Sequence, residues 1–491
     1  MPWPDRAAAA AAGGGRTYLE GLDFVLTVDP ADRVLRHATL VVDGQRLLAV
    51  GPAAEVARAF PPRPGDVVLD GSGLGATPGF VDTHVHLSET LTRASFPDRL
   101  ATRAWVFHWI MPFYGQLTES DERVAVTLGA AELLRSGTTC FLDMGALTDP
   151  WATVPELART GIRGVTGRHA ADVRPAATPP GWSEEMMDRH FFPDARAALH
   201  ELEACVRELD GTAGGRIGCW VNIQGKEPCS AELHVGAREL AERLGVGTTY
   251  HVASTIEEAR SVERRHGQTP VARLAALGGL GPNLVLAHAV ATSDEEVAIL
   301  AEHDTKVAFC PGTSLKLAKG ATRIGKYPEM LRAGVTVGLG TDGVSASGNL
   351  DLKRQMYLVA GLFKDARMDP EAVGAARALR MATIDGARAL GLHGEIGSLE
   401  PGKKADFVLF GLDHSEWVPY RDPVQALVWS ATSASIRQTW VDGRAVLVDG
   451  ALTTLPDEPE LRAEARARAD RLIRAAGLDA GDVPLTTSLY Q

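Results

Sequence analysis

His84 and His86 lie two residues apart in the stretch Pro78-Gly79-Phe80-Val81-Asp82-Thr83-His84-Val85-His86-Leu87. Phe80 to Val85 reads as a short apolar strand entered through a Pro-Gly break. Residues two apart on a strand share a face, so both imidazoles can aim at one point, as two nitrogen ligands to a metal ion do. Taken alone, such a pair is just as well an ordinary couple of core or surface histidines. Three further residues of ligand type stand at strand tips. His251 ends the strand Gly247–Tyr250, His288 ends Leu284–Ala287, and Asp342 follows Val335–Gly340 in Thr341-Asp342-Gly343. A single strand-end histidine is more often a satisfied core residue. Four histidines and one aspartate so placed, two of them in HxH spacing, point to a metal site.

These tips need a scaffold that brings separate strand ends together. Helical stretches (Glu119–Ser136, Asp194–Leu209, Ala231–Leu244) alternate with short apolar strands (Thr138–Met144, Arg163–Thr166, Arg216–Ile223, Lys306–Phe309). That rhythm means parallel βαβ units. The expectation is an α/β protein: a (β/α)8 TIM-type barrel over residues 78–391, with its chemistry at the C-terminal ends of the strands. Before it, short strands at Leu22–Val28, Ala38–Val42, Leu47–Val50 and Val67–Asp70 are separated by Gly, Pro and Asp breaks. After it, strands are expected at Asp406–Leu409, Val424–Val428, Thr439–Val441 and Ala445–Val448, then a charged helix over Pro459–Ala476. Segments 18–77 and 392–491 are expected to pair as a small β-sandwich domain. Residues 1–17, with an Ala7–Ala12 run and Gly13–Gly15, read as a disordered tail; Asp5 beside Arg6 argues against a signal peptide.

With 491 residues, 45% hydrophobic and 23% charged, the chain has room for a large barrel and the composition of a soluble globular protein. Its net charge of −12 disfavours a nucleic-acid surface, and no run is long enough to span a membrane. Five scattered cysteines with no CxxC indicate neither a zinc ribbon nor a disulfide framework, which suits the cytoplasm.

PGFVDTHVHL, YHVAS, LAHAV, GLGTDG and GSLEPGKKADFVLF together resemble the amidohydrolase superfamily. Within it, they are similar to the branch holding the methylthioadenosine/S-adenosylhomocysteine deaminases and the s-triazine hydrolases. Trp105 to Pro112, Ala130–Gly145 and Phe309–Leu317 support the likeness, which runs from about Leu22 to about Gly450. The resemblance implies one divalent metal, zinc ahead of iron, held by His84, His86, His251 and Asp342. His288 would stand beside the substrate. Asp342 would take a proton from the attacking water and deliver it to the leaving group, and His288 would stabilise the tetrahedral intermediate. The substrate would be a small nitrogen heterocycle (purine-, pterin-, pyrimidine- or triazine-like) losing an amino group. A homo-oligomer, dimer or larger, is also implied.

The sequence departs from that branch at two places. The usual His-x-Ala-Glu-Thr reads His251-Val252-Ala253-Ser254-Thr255, so Ser254 replaces the acid that protonates a ring nitrogen. Gln224 stands where a substrate-touching Pro-His is common, and can still donate and accept. Gln224, Ser254 and His288 are therefore the expected substrate contacts. The missing acid raises an alternative: opening of a cyclic amide, or hydrolytic dechlorination, on the same metal. A non-catalytic relative would have lost ligands, and all five are present. Glu257 and Glu258 read as the exposed first turn of a helix, whereas Glu89 could reach the site from the first loop. Arg93, Trp105, His108 and Trp109 could line a pocket, although the last three share helical spacing. Cys310 reads as a buried thiol, and His169, His190 and His200 carry no assigned role.

Overall fold

The protein is described from a computed structural model covering residues 15–179 and 181–478. Eight parallel strands follow one another around a barrel: Phe80–Val85, Thr138–Asp143, Arg163–Gly167, Ile217–Gly225, Thr248–Val252, Leu284–His288, Lys306–Phe309 and Val337–Leu339. Most are almost wholly buried, which is why they read as continuous apolar runs rather than alternating ones. Helices cover them, and local chemistry fixes where these begin. Thr118 and Asp121 form a reciprocal capping box at the start of Glu119–Arg135, and Ser230 caps Ala231–Leu244.

The last strand closes on the first through a parallel bridge between Val85 and Asp342. The Asp342 amide donates to the His84 carbonyl at 2.9 Å. Gly340 permits this approach: a Cβ there would lie 2.8 Å from the His84 carbonyl oxygen.

A second sheet of nine strands is built from both ends of the chain. Leu74–Pro78 from the N-terminal side pairs antiparallel with Phe407–Gly411 from the C-terminal side. Leu19, Leu40, Leu69, Phe407 and Trp440 fill its core, with the Phe407 and Trp440 rings stacked at 5.1 Å. Leu74–Pro78 runs directly into the first barrel strand, so this sheet fixes where the HxH strand begins. Arg163, buried in the third barrel strand, reaches Asp406 at 2.8 Å and Asp442 at 3.1 Å across the join. No helix among the described residues is long and apolar enough to cross a membrane.

Three expectations need correction. Val424–Val428 is not a strand: Pro423–Gln425 is helical and continues through a π-type turn, Ala426–Ser430. Asp422 caps the amides of Val424 and Gln425, and Pro423 occupies the first turn, outweighing the β preference of the apolar run. The strand Leu74–Pro78 is missing from the sequence reading because Gly71-Ser72-Gly73 looked like the end of the segment. The tail assigned to 1–17 is too long at its inner end: Thr17 already pairs with Val42, while residues 1–14 lie outside the described residues.

Candidate metal centre and active site

The first strand delivers His84 and then His86. Asp82 accepts from the amides of His84 and Thr341, both at 3.1 Å, and from the Thr341 hydroxyl, pinning the first strand tip to the last. Asp143, on the second strand, accepts from the Leu87 amide at 2.9 Å and sets the turn after His86. His251, His288 and Asp342 arrive from the fifth, sixth and eighth strand tips. Non-glycine residues there adopt left-handed backbone: Ala253 (φ 45°), His288 (φ 72°), Ala289 (φ 52°) and Asp342 (φ 61°). Such conformations cost on the order of 1–3 kcal/mol each and gather where function requires them.

The side chains converge. His86 Nε2 lies 3.2 Å from His251 Nε2. Asp342 Oδ1 lies 3.6 Å from His84 Nε2 and 3.5 Å from His86 Nε2, and Asp342 Oδ2 lies 3.8 Å from His288 Nε2. Ligand atoms of His84, His86 and His251 fall within 4.8 Å of one another, as do those of His84, Cys310 and Asp342. Both ring nitrogens of His84 are buried and have no hydrogen-bond partner among the described residues. Buried polar atoms are rarely left so, and a cation is what these donors fit. The His251 Nδ1 sits 2.8 Å from the Gln224 carbonyl, which places the proton on Nδ1 and frees Nε2 for a metal.

The electrostatics agree. Burial, with His84 nearby, pushes His86 down to about 3, and burial holds His251 and His288 well below the ordinary histidine range. The imidazoles are therefore neutral and ligand-ready at pH 7. Burial alone would raise the Asp342 carboxyl, but the surrounding histidine rings, His84 foremost, outweigh it and hold Asp342 well below the ordinary carboxylate range.

Glu89 is buried in the site. It accepts from the Tyr114 hydroxyl and, at 3.3 Å, from Ser345, and it lies 3.7 Å from His86 Nδ1. Burial drives it up to about 8, so it is protonated at pH 7. Its carboxyl sits so close to Gly343 that any Cβ there would collide with it. Ser254 is buried; its hydroxyl bonds Lys226 Nζ, and its amide donates to Glu258 at 3.0 Å. Glu258 thus starts the helix Ile256–His266 as read from sequence, but it folds back to pair with Lys226 at 3.1 Å, while Glu257 is exposed.

Sequence reasoning passed over four neighbours. Lys226 has no distinguishing spacing, and Lys319 approaches His288 Nε2 at 3.4 Å. The His169 ring lies 6.1 Å from that of His86 and 6.4 Å from that of His251, with both nitrogens buried and unpartnered; His190 lies 6.4 Å from His169. His169 follows the third barrel strand by two residues, so the strand-tip criterion would have found it. Other candidates fall elsewhere. Arg93 bonds Gly348 and Glu132, Trp105 and Trp109 pack into an apolar cluster, and His108 and His200 are exposed. Burial holds the Cys310 thiol well above its ordinary range, which does not suit a nucleophile.

The sequence profile of the amidohydrolase family matches residues 76–446. The chain belongs to the amidohydrolase family. It is 36% identical over 461 residues to a 5-methylthioadenosine/S-adenosylhomocysteine deaminase of Symbiobacterium thermophilum, covering 94% of this chain and 99% of that one. It is 34% identical over 424 residues to a 5'-deoxyadenosine deaminase of Methanothermobacter thermautotrophicus, covering 86% and 92%. A crystal structure of an adenosine deaminase from Xanthomonas campestris with bound zinc superposes with a TM-score of 0.81 at 28% identity, covering 93% of this chain and 98% of that one. This amidohydrolase is accordingly an enzyme, a metal-dependent hydrolase of carbon–nitrogen bonds other than peptide bonds.

Proposed function

We propose that this amidohydrolase removes an amino group from a small nitrogen heterocycle, with one zinc ion held by His84, His86, His251 and Asp342. The observation that carries the reading is the convergence of ligand-type side chains from the first, fifth and eighth strand tips, with His84 left unpartnered. The zinc reported in the Xanthomonas campestris structure supports that metal over iron, and the deaminase names of the relatives support the reaction. Bound zinc would supply the Lewis acidity that makes water a nucleophile at neutral pH. Asp342, 3.8 Å from His288, would take the attacking water's proton and pass it to the leaving nitrogen. His288 can hydrogen-bond the developing charge. His169, Gln224 and Ser254 are the proposed substrate contacts.

One observation favours a second reading. Ser254 is engaged by Lys226 and Glu258, so no carboxylic acid stands there to protonate a ring. Opening of a cyclic amide, or loss of chloride, needs less of that help. Zinc-loaded protein should be screened for ammonia release from adenine nucleosides, guanine, pterins and aminotriazines, with product masses recorded. Exchange of amino for hydroxyl supports deamination, gain of a whole water supports ring opening, and inertness towards every compound would refute both.

The five free cysteines, all buried, support a reducing cytoplasm. Exposed Tyr357 and Trp429, edge to face at 5.5 Å, support a homo-oligomer, which light scattering would test.

A further inference from the structure

Lys319 is a buried lysine with no counter-ion among the described residues. It lies in the turn after the helix Pro311–Lys316, where Ala318 adopts left-handed backbone (φ 50°) and the Lys319 amide bonds the Ser314 carbonyl at 2.9 Å. The residue is 7% exposed, and its Nζ meets His288 Nε2 at 3.4 Å. Among the described residues, no carboxylate lies within ion-pair distance of it. The nearby acid, Asp342, directs its oxygens at His84, His86 and His288. Glu89 is turned to Tyr114 and Ser345.

An ammonium taken from water costs several kcal/mol unless a partner meets it, so a lysine placed this way calls for an anion. Lys226 stands within electrostatic range and resists the charge on Lys319. Its backbone is also left-handed (φ 59°), and Glu258 already matches its charge. The pocket therefore holds one uncompensated lysine in addition to whatever charge a divalent metal brings.

We propose that Lys319, supported by Lys226, receives an anionic group of the substrate, a ring carboxylate or an ionised ring lactam. The enzyme then acts on a heterocyclic anion rather than a neutral nucleoside base. This rests on the hydrolase reading above and narrows its substrate class.

Calorimetric binding to zinc-loaded protein at neutral pH tests this without turnover. The probes are uracil (neutral), orotate (a ring carboxylate) and barbiturate (an ionised lactam), with hypoxanthine and urate as the larger neutral and anionic pair. At least one anion should bind about tenfold to a hundredfold more tightly than its neutral partner, the range for a hydrogen bond to a charged group. Which anion does so separates carboxylate from lactam. Lys319→Met should abolish the preference and Lys226→Met reduce it, with zinc content and melting temperature measured for each. If Lys319→Met does not fold, Lys319→Gln and Lys226→Met carry the comparison.

Equal binding of anions and neutrals, or no binding of either, overturns the proposal. So does a preference that survives loss of Lys319, because the metal would then hold the anion. Ammonia release from neutral amines without anion preference would keep the hydrolase and sink this inference. Anion binding with no hydrolysis of any heterocycle would do the reverse.

Discussion

Asp342 has two tasks, to complete the metal site and to move a proton, and its surroundings serve both. Asp342→Asn keeps the shape but cannot accept the proton. Turnover should fall by at least about 10²–10⁴-fold, with the loss in kcat rather than KM. Glu89 gives a pH signature. It sits at about 8 against an ordinary 4.5. Between those values the folded chain keeps a proton that the unfolded chain has given up, so stability falls as pH rises through the window and levels off above it. The slope is at most about 1.4 kcal/mol per unit. In metal-free protein, the melting temperature of Glu89→Gln should therefore gain on wild type from the acid end of this window to the alkaline end. A constant difference would show that Glu89 is already ionised. At position 254, a glutamate alone would ion-pair with Lys226 and remain a poor acid. Ser254→Glu should raise ammonia release from neutral aromatic amines less than Ser254→Glu combined with Lys226→Gln. The ligand histidines and Asp342 were readable because strand tips are legible from apolar runs. The lysines were not: a lysine reads as surface by default, and only the fold shows that Lys319 is enclosed.

Among the elements, the barrel strands were legible to within a few residues, because strands buried on both faces write themselves as unbroken apolar runs. Val424–Val428 has the same look and is helical, since the cap Asp422 and Pro423 just upstream decide it. The join between barrel and terminal sheet could not be foreseen, because Arg163, Asp406 and Asp442 are remote in sequence and ordinary in type. Arg163 is 6% exposed, and Lys404 also reaches Asp442, at 3.0 Å. Removing the guanidinium leaves a buried carboxylate unmatched. Arg163→Ala should cost about 3–5 kcal/mol, read as a lower urea midpoint. Arg163→Met with Asp406→Leu should recover part of that loss.

For the whole molecule, the last barrel strand meets the first through a backbone bridge, Val85 to Asp342, the Asp342 amide on the His84 carbonyl, and side-chain bonds from Thr341 to Asp82 and from Thr83 to the Leu339 carbonyl. The residues at that seam are the proposed ligands. Zinc would therefore act as a clasp, and at free zinc a thousandfold above its Kd it would add about 4 kcal/mol to the folded state. Chelation should lower the melting temperature, and amide hydrogen exchange should quicken first at Val85 and Asp342 rather than uniformly. An enzyme built this way keeps its reactive centre at the seam that closes its barrel. A starved cell would then hold not an idle catalyst but a barrel beginning to unzip, open to proteolysis, so that metal supply would govern how many copies persist as well as how fast each one works.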